Sequence, residues 1–174
     1  MIATLGRIAT GRRLLRGGLL LLVLGALAVP VHALASAQVP MKGSDAGSWG
    51  MGTHDCGDLF PVRVDGTGHA THVGAYTYSS RECVDFGSYP FPYSGAFTIT
   101  AANGDTIVGT YAGTASLDDD GVTILYQQTT TVTGGTGRFA HASGEFDVHG
   151  IAYADGSYVQ RLSGAISSIG AGNH

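Results

Sequence analysis

Along the second half of the chain, apolar and polar positions alternate with a period of two. Val122, Ile124, Tyr126, Gln128, Thr130 and Val132 share one parity, and Thr123, Leu125, Gln127, Thr129 and Thr131 the other, which predicts one long strand. Ile107, Gly109, Tyr111 and Gly113 oppose Val108, Thr110, Ala112 and Thr114 in the same way. Between such runs stand turn residues: Asn103-Gly104-Asp105, Asp118–Gly121, Gly134–Gly137 and Ala154-Asp155-Gly156. Asn103-Gly104 is the strongest hairpin signal, because both residues tolerate the positive φ of a type I′ turn. Further strands are predicted over His69–Ser79, Ala96–Ala102, Arg138–Ile151 and Ser157–Ile169. Tyr89-Pro90-Phe91-Pro92-Tyr93 reads as a stiff loop, since each proline removes a ladder donor. No stretch repeats the 3.6-residue apolar period of an amphipathic helix. Seven or eight short-turned strands predict an all-β domain, an antiparallel up-and-down barrel of about eight strands that hides its edges by closing, with a β-sandwich as the alternative. The glycines within strands (Gly74, Gly109, Gly113, Gly144, Gly164) suit barrel corners, where coiling leaves no room for a side chain.

The N-terminal pattern is different. Arg7, Arg12, Arg13 and Arg16 precede a leucine-rich run from Gly17 to Val29, and no acid occurs before Asp45. The run is shorter than the roughly 20 residues that a membrane-spanning helix needs. Ala35-Ser36-Ala37 then offers the small-x-small site of a signal peptidase. These features predict a signal peptide over residues 1–37, a flexible leader over 38–47 and one barrel domain over 48–170, in a secreted or periplasmic protein. An uncleaved N-terminal anchor is the alternative. The Arg12-Arg13 pair suggests a twin-arginine route, but Leu14-Leu15-Arg16 fits that pattern poorly, so the export route stays open.

Removing 37 of the 174 residues leaves 137, enough for one domain with a core. It also removes four of the nine basic residues. Lys42, Arg63, Arg81, Arg138 and Arg161 remain against thirteen acids, a formal charge of −8. That balance argues against nucleic acid and against anionic membrane surfaces as partners. Cys56 and Cys83 both remain, and in an oxidising compartment they are expected to form one disulfide. Closing 27 residues of chain would contribute roughly 3.5 kcal/mol on the loop-entropy model. Free thiols or a metal site are the alternative, although neither cysteine lies in a C-x-x-C spacing.

Four segments occur in order over residues 68–140: Gly68-His69-Ala70-Thr71-His72-Val73-Gly74, Phe97–Asp105, Gly109-Thr110-Tyr111-Ala112-Gly113-Thr114 and Thr133–Ala140. Together they resemble exported bacterial proteins with an allene oxide cyclase-like barrel. The paired cysteines flanking the first segment fit the same picture. The resemblance implies an eight-stranded, calycin-like barrel with an internal cavity, which in enzymatic relatives shapes a flexible apolar substrate for cyclisation. The matching residues are structural, and the resemblance assigns no active-site residue.

Chemistry-bearing residues are sparse. On a strand, His72 would share a face with Gly74, Tyr76 and Tyr78, and it could anchor a polar ligand head. Phe97, Tyr111 and Tyr126 are candidate cavity walls, and equally candidate core. Glu145, Asp147 and His149 share a strand face opposite Phe146 and Val148, which assigns the charged side to solvent. Asp118-Asp119-Asp120-Gly121 lacks EF-hand spacing and reads as a turn. No G-x-S-x-G, H-E-x-x-H, P-loop or C-x-x-C motif occurs, so no cofactor or metal is expected. The expected function is therefore an exported binding barrel for a small apolar ligand, with His72, Tyr76, Phe97, Tyr111 and Tyr126 as candidate contacts. A cofactor-independent cyclase or isomerase and a ligand-free structural barrel are the alternatives. An internal cavity of at least ~300 Å³ with convergent polar groups would mark a ligand site. Intact-mass measurement of the exported protein is expected to give a chain beginning at Gln38. A mass that still includes residues 1–37 would refute the cleavage.

Overall fold

The computed structural model describes residues 37–167, so the predicted export signal lies outside the described residues except for Ala37. Eight antiparallel strands close into one barrel: β1 (Gln38–Met51), β2 (Phe60–Ala70), β3 (Gly74–Val84), β4 (Phe91–Ala101), β5 (Thr106–Leu117), β6 (Ile124–Gly135), β7 (Gly144–Ala152) and β8 (Ser157–Ser167). Each strand pairs with the next in sequence, and β8 returns to β1, from Gln38 opposite Ser167 to Ser48 opposite Ser157. No sheet edge is left open, so the expected barrel is the fold and the alternative of a sandwich falls. Among the described residues, no helix is long and apolar enough to cross a membrane, which says nothing of strands.

Several expectations are corrected. Gln38–Gly47 is not a leader but most of β1, hydrogen-bonded to both β2 and β8. Its strand pattern is hard to see because three of its core-facing positions are Gly43, Asp45 and Gly47 rather than large apolar residues. His69–Ser79 is not one strand. It turns at Thr71–Val73, where His72 takes a left-handed φ of 65° and Gly74 one of 80°. Arg138–Ser143 is also not strand: Gly137–Phe139 forms one turn of 3₁₀ helix, and β7 starts at Gly144. The Asn103-Gly104 hairpin exists, but only Gly104 has positive φ. Gly104 N–H bonds Ala101 C=O and Ala101 N–H bonds Asp105 C=O, the three-residue loop that ends in a glycine bulge. Finally, Phe91-Pro92-Tyr93 opens β4, with Pro92 exposed at its second position.

Alternation sorts the two faces as expected elsewhere. Phe146 and Val148 are buried, while Glu145, Asp147 and His149 face solvent. The barrel closes tightly because glycines on its inner wall receive aromatic rings from neighbouring strands. A Cβ at Gly109 would run into the Phe97 ring, and one at Gly68, Gly95 or Gly150 into the rings of Tyr76, Tyr111 and Tyr126. One at Gly66 would run into the Tyr158 hydroxyl. Such interdigitation fills the narrow interior that eight strands enclose.

The two ends differ. At the end formed by the β2–β3, β4–β5 and β6–β7 turns, Met41, Ile99, Ile107 and Ile166 are fully buried, and Phe139 folds inward from the 3₁₀ turn as a plug. Arg138 fastens this plug, donating from Nη2 to the Val73 carbonyl at 2.8 Å with its guanidinium over the Phe139 ring. The opposite end carries the long β1–β2 loop, tied by the Cys56–Cys83 disulfide to β3 across a Cα–Cα distance of 5.6 Å. That bond accounts for both cysteines and fits a non-reducing compartment.

Gly150→Ala is expected to displace the Tyr126 ring and cost about 1–3 kcal/mol in urea unfolding. Gly50→Ala is the control, since nothing lies within 4 Å of its added methyl, and it should be neutral within about 0.5 kcal/mol. Equal effects at the two positions would remove the account of rings seated over glycines.

Candidate functional site

The inward positions of β3 run Tyr76, Tyr78, Ser80, Glu82 and Val84, from the sealed end toward the disulfide end. This parity carries polar groups into the barrel, where they must find partners. Asp45 of β1 is well served. Its Oδ1 accepts from the Tyr158 hydroxyl at 2.7 Å, and its Oδ2 accepts from Tyr76 at 2.8 Å and Gln160 Nε2 at 3.0 Å. Tyr126 extends the chain by donating to Gln160 Oε1 at 3.0 Å. Burial nevertheless holds the Asp45 carboxyl above its ordinary range, and these three hydrogen bonds only partly oppose it.

Glu82 is less well served. Its Oε2 accepts from the Tyr111 hydroxyl at 2.7 Å, and among the described residues Oε1 accepts no hydrogen bond. Burial pushes its carboxyl up to about 7, with Tyr111 pulling the other way. Beside it, Ser80 Oγ is buried and makes no hydrogen bond of good geometry, although the Tyr78 and Tyr111 hydroxyls lie close enough to feel it. Tyr93 donates to Gln128 Oε1 at 3.0 Å, and Gln128 Nε2 donates to Thr130 at 3.2 Å. Burial first, and the nearby carboxylates second, keep Tyr76, Tyr111 and Tyr158 protonated as donors through neutral pH.

These groups surround a cavity of about 100 Å³ at the disulfide end. Tyr78, Ser80, Glu82, Tyr93, Gln128, Tyr158 and Gln160 supply its polar lining; Trp49, Val62, Val64, Phe91, Ala115, Ile124 and Tyr126 supply apolar walls. The space is smaller than the ~300 Å³ expected of a site for a drug-sized molecule. It approaches the size of a void that holds one benzene ring. A depression of about 1400 Å³ runs over the outer wall past Ser44, Thr67, His69, Thr77, His149 and Arg161, but it is open to solvent and its strand positions mostly face outward.

The predicted contact residues are divided among three places. Tyr126 lines the cavity, and Tyr111 reaches it through Glu82. Tyr76 and Phe97 are buried deeper in the core, Tyr76 on Asp45 and Phe97 against Phe146 at 6.0 Å. His72 is exposed in the β2–β3 turn at the sealed end, far from the tyrosine face assigned to it, because the chain reverses there. Glu82, Ser80, Gln160 and Asp45 were missed. Glu82 and Ser80 were within reach of the sequence: continuing the Tyr76, Tyr78 parity by two and four residues places both inside. His54, Cys56 and Cys83 cluster within ligand distance, but the disulfide occupies both sulfurs.

No protein-family model matches the chain, and no curated protein matches it either. The site stands on its geometry.

The raised Glu82 value fixes a pH dependence. Between its ordinary value of 4.5 and about 7 the native state holds a proton that the unfolded chain has lost. Stability is therefore fullest below about 4.5 and falls as pH rises to about 7, by roughly 3 kcal/mol at most. Glu82→Gln keeps the shape and removes this loss. Urea unfolding should find the variant equal to the parent at pH 4 and more stable at pH 8. Parallel profiles would show that Glu82 is not held above its ordinary range.

Proposed function

We propose that this chain is an exported barrel that binds a small, largely apolar molecule through one polar end. The observation that carries this reading is the buried Ser80 hydroxyl without a close partner, beside a Glu82 carboxyl with one oxygen unused, both lining a space that opens at the disulfide end. Buried polar groups left unsatisfied by the protein are commonly satisfied by something else. Phe91, Ala115, Ile124 and Trp49 offer apolar contact at the mouth, and the cavity size limits the occupant to about six heavy atoms, or to one end of a longer molecule. Export rests on the basic, apolar and small-residue layout of residues 1–37, together with the disulfide.

One observation favours a second reading, a cofactor-independent isomerase or cyclase of the kind the allene oxide cyclase-like resemblance implies. A carboxyl poised near 7 and hydrogen-bonded to a tyrosine can give or take a proton near neutral pH. Binding is the better-supported function, because the unpartnered Ser80 hydroxyl and the apolar walls point to an occupant, whereas the chemistry rests on the Glu82–Tyr111 pair alone.

Trp49 is the one tryptophan of the chain and lines the cavity, so it reports occupancy. Titration with cyclopentanol or cyclopentylamine should shift its emission saturably, with heat detected by calorimetry. Ala115→Phe, which fills the mouth, should abolish the response while the protein stays folded. Absence of saturable binding by both probes would leave the interior as core alone.

A further inference from the structure

Among the described residues, two carboxylates lie inside the barrel and no lysine or arginine does. Lys42, Arg63, Arg81, Arg138 and Arg161 are all exposed, and none lines the cavity. Asp45 has its charge spread over three donors, whereas Glu82 meets one and keeps Oε1 open. Ser80 lies two positions below Glu82 on the same face of β3, about 7 Å along the strand, with its hydroxyl unpartnered. Glu82 Oε1 and the Ser80 hydroxyl therefore flank one space without a close partner, and the Tyr78 and Tyr111 hydroxyls are the protein groups nearest to Ser80.

The surroundings have the same sign. The four loops at this end, residues 52–59, 85–90, 118–123 and 153–156, hold Asp55, Asp58, Asp85, Asp118, Asp119, Asp120 and Asp155 but no lysine or arginine. Several of these aspartates have local work: Asp55 and Asp85 each accept a backbone N–H two residues on, and Asp120 and Asp155 close their own turns. Turn formation explains why they are aspartates; it does not cancel their field, which draws cations to the mouth and repels anions. The walls are aromatic faces, Trp49, Phe91 and Tyr126, which attract a cation as well as an apolar frame.

We propose that the cavity takes a small organic amine as its ammonium ion, with the nitrogen donating to Glu82 Oε1 and Ser80 Oγ and the hydrocarbon part against Trp49, Phe91 and Ala115. This rests on the binding reading above and names the ligand class of that site. An ammonium supplies what the interior lacks, a donor-rich cation that compensates the buried carboxylate. A carboxylate ligand would place like charge against Glu82. A neutral alcohol would satisfy Ser80 or Glu82 but would leave the charge uncompensated.

Cyclopentylamine, cyclopentanol and cyclopentanecarboxylate share one frame and differ in the head. At pH 8, calorimetry is expected to rank the amine at least about tenfold tighter than the alcohol, as charge-assisted hydrogen bonds exceed neutral ones. The carboxylate should show no binding. In Glu82→Gln the amine's advantage should fall below about threefold, with circular dichroism confirming the fold. Ser80→Ala, which leaves the carboxylate in place, should weaken amine and alcohol alike. Equal binding of amine and alcohol to the parent protein would overturn the amine assignment while leaving a binding barrel. Failure of all three probes would overturn the binding reading itself. An amine preference that survives Glu82→Gln but vanishes in 0.5 M salt would place the selectivity in the loop aspartates and overturn the Glu82 assignment.

Discussion

An eight-stranded barrel encloses a space about one side chain deep, and every other feature of this protein follows from how that space is filled. Large rings from opposite strands cannot all enter it. The chain resolves the conflict by placing glycines where rings arrive: Gly66 under the Tyr158 hydroxyl, Gly95 under Tyr111, Gly109 under Phe97 and Gly150 under Tyr126. The glycines are thus half of a packing pair rather than loose points in the strands. They also set where polar atoms end up, because each tyrosine laid across a glycine carries its hydroxyl toward the barrel axis. Tyr76 and Tyr158 deliver theirs to Asp45, Tyr111 to Glu82 and Tyr126 to Gln160.

Once hydroxyls converge on the axis, acceptors are needed there, and the two carboxylates meet that need differently. Asp45 lies on the strand that closes the barrel and gathers donors from β3 and β8, so it ties the β1–β8 seam to β3, two strands along the wall. A group so fully bonded resembles a structural clasp. Glu82 stands nearer the mouth, with a single donor and an adjacent orphan hydroxyl. Retaining a half-satisfied acid beside a cavity costs stability at neutral pH, and a satisfied amide or an apolar side chain would avoid that cost. That contrast, more than cavity size, separates the site from the rest of the core.

The strand order and the closed barrel were legible because period-2 alternation and glycine turns are local signals, and a meander needs no long-range pairing to be guessed. Register inside turns was less legible. Thr71-His72-Val73 reads as strand because its residues are not turn formers, yet His72 tolerates positive φ and Gly74 follows. Phe139 reads as the start of a strand, but its task is to plug the barrel, which only the geometry of the sealed end reveals. The site was legible in part. Tyr126 and Tyr111 were found because aromatics on an apolar parity are conspicuous; Glu82 and Ser80 were missed because polar residues on that parity are ordinarily read as breaks in it. Asp45 was hidden by Gly43 and Gly47, whose small size erased the apolar rhythm of β1.

The asymmetry of the two ends gives the chain a direction. At the sealed end Phe139, Val73 and the branched residues around them exclude water, and Arg138 joins two turns over them. At the other end the exposed apolar residues gather: Met51, Leu59, Phe60, Phe86, Tyr89, Leu117, Val122 and Tyr153 lie at the four loops of the mouth or beside them. Phe60, Phe86, Phe91 and Tyr89 form a train of edge-to-face contacts there, and the disulfide holds the longest loop beside them. Exposed rings of this number are unfavourable on a surface whose only task is solubility. They make sense around an opening through which an apolar body must pass to reach a polar end-point. In the amine-binding reading proposed above, the rings lower the barrier for the hydrocarbon, the surrounding aspartates select the sign of the charge, and Glu82 is where that charge comes to rest.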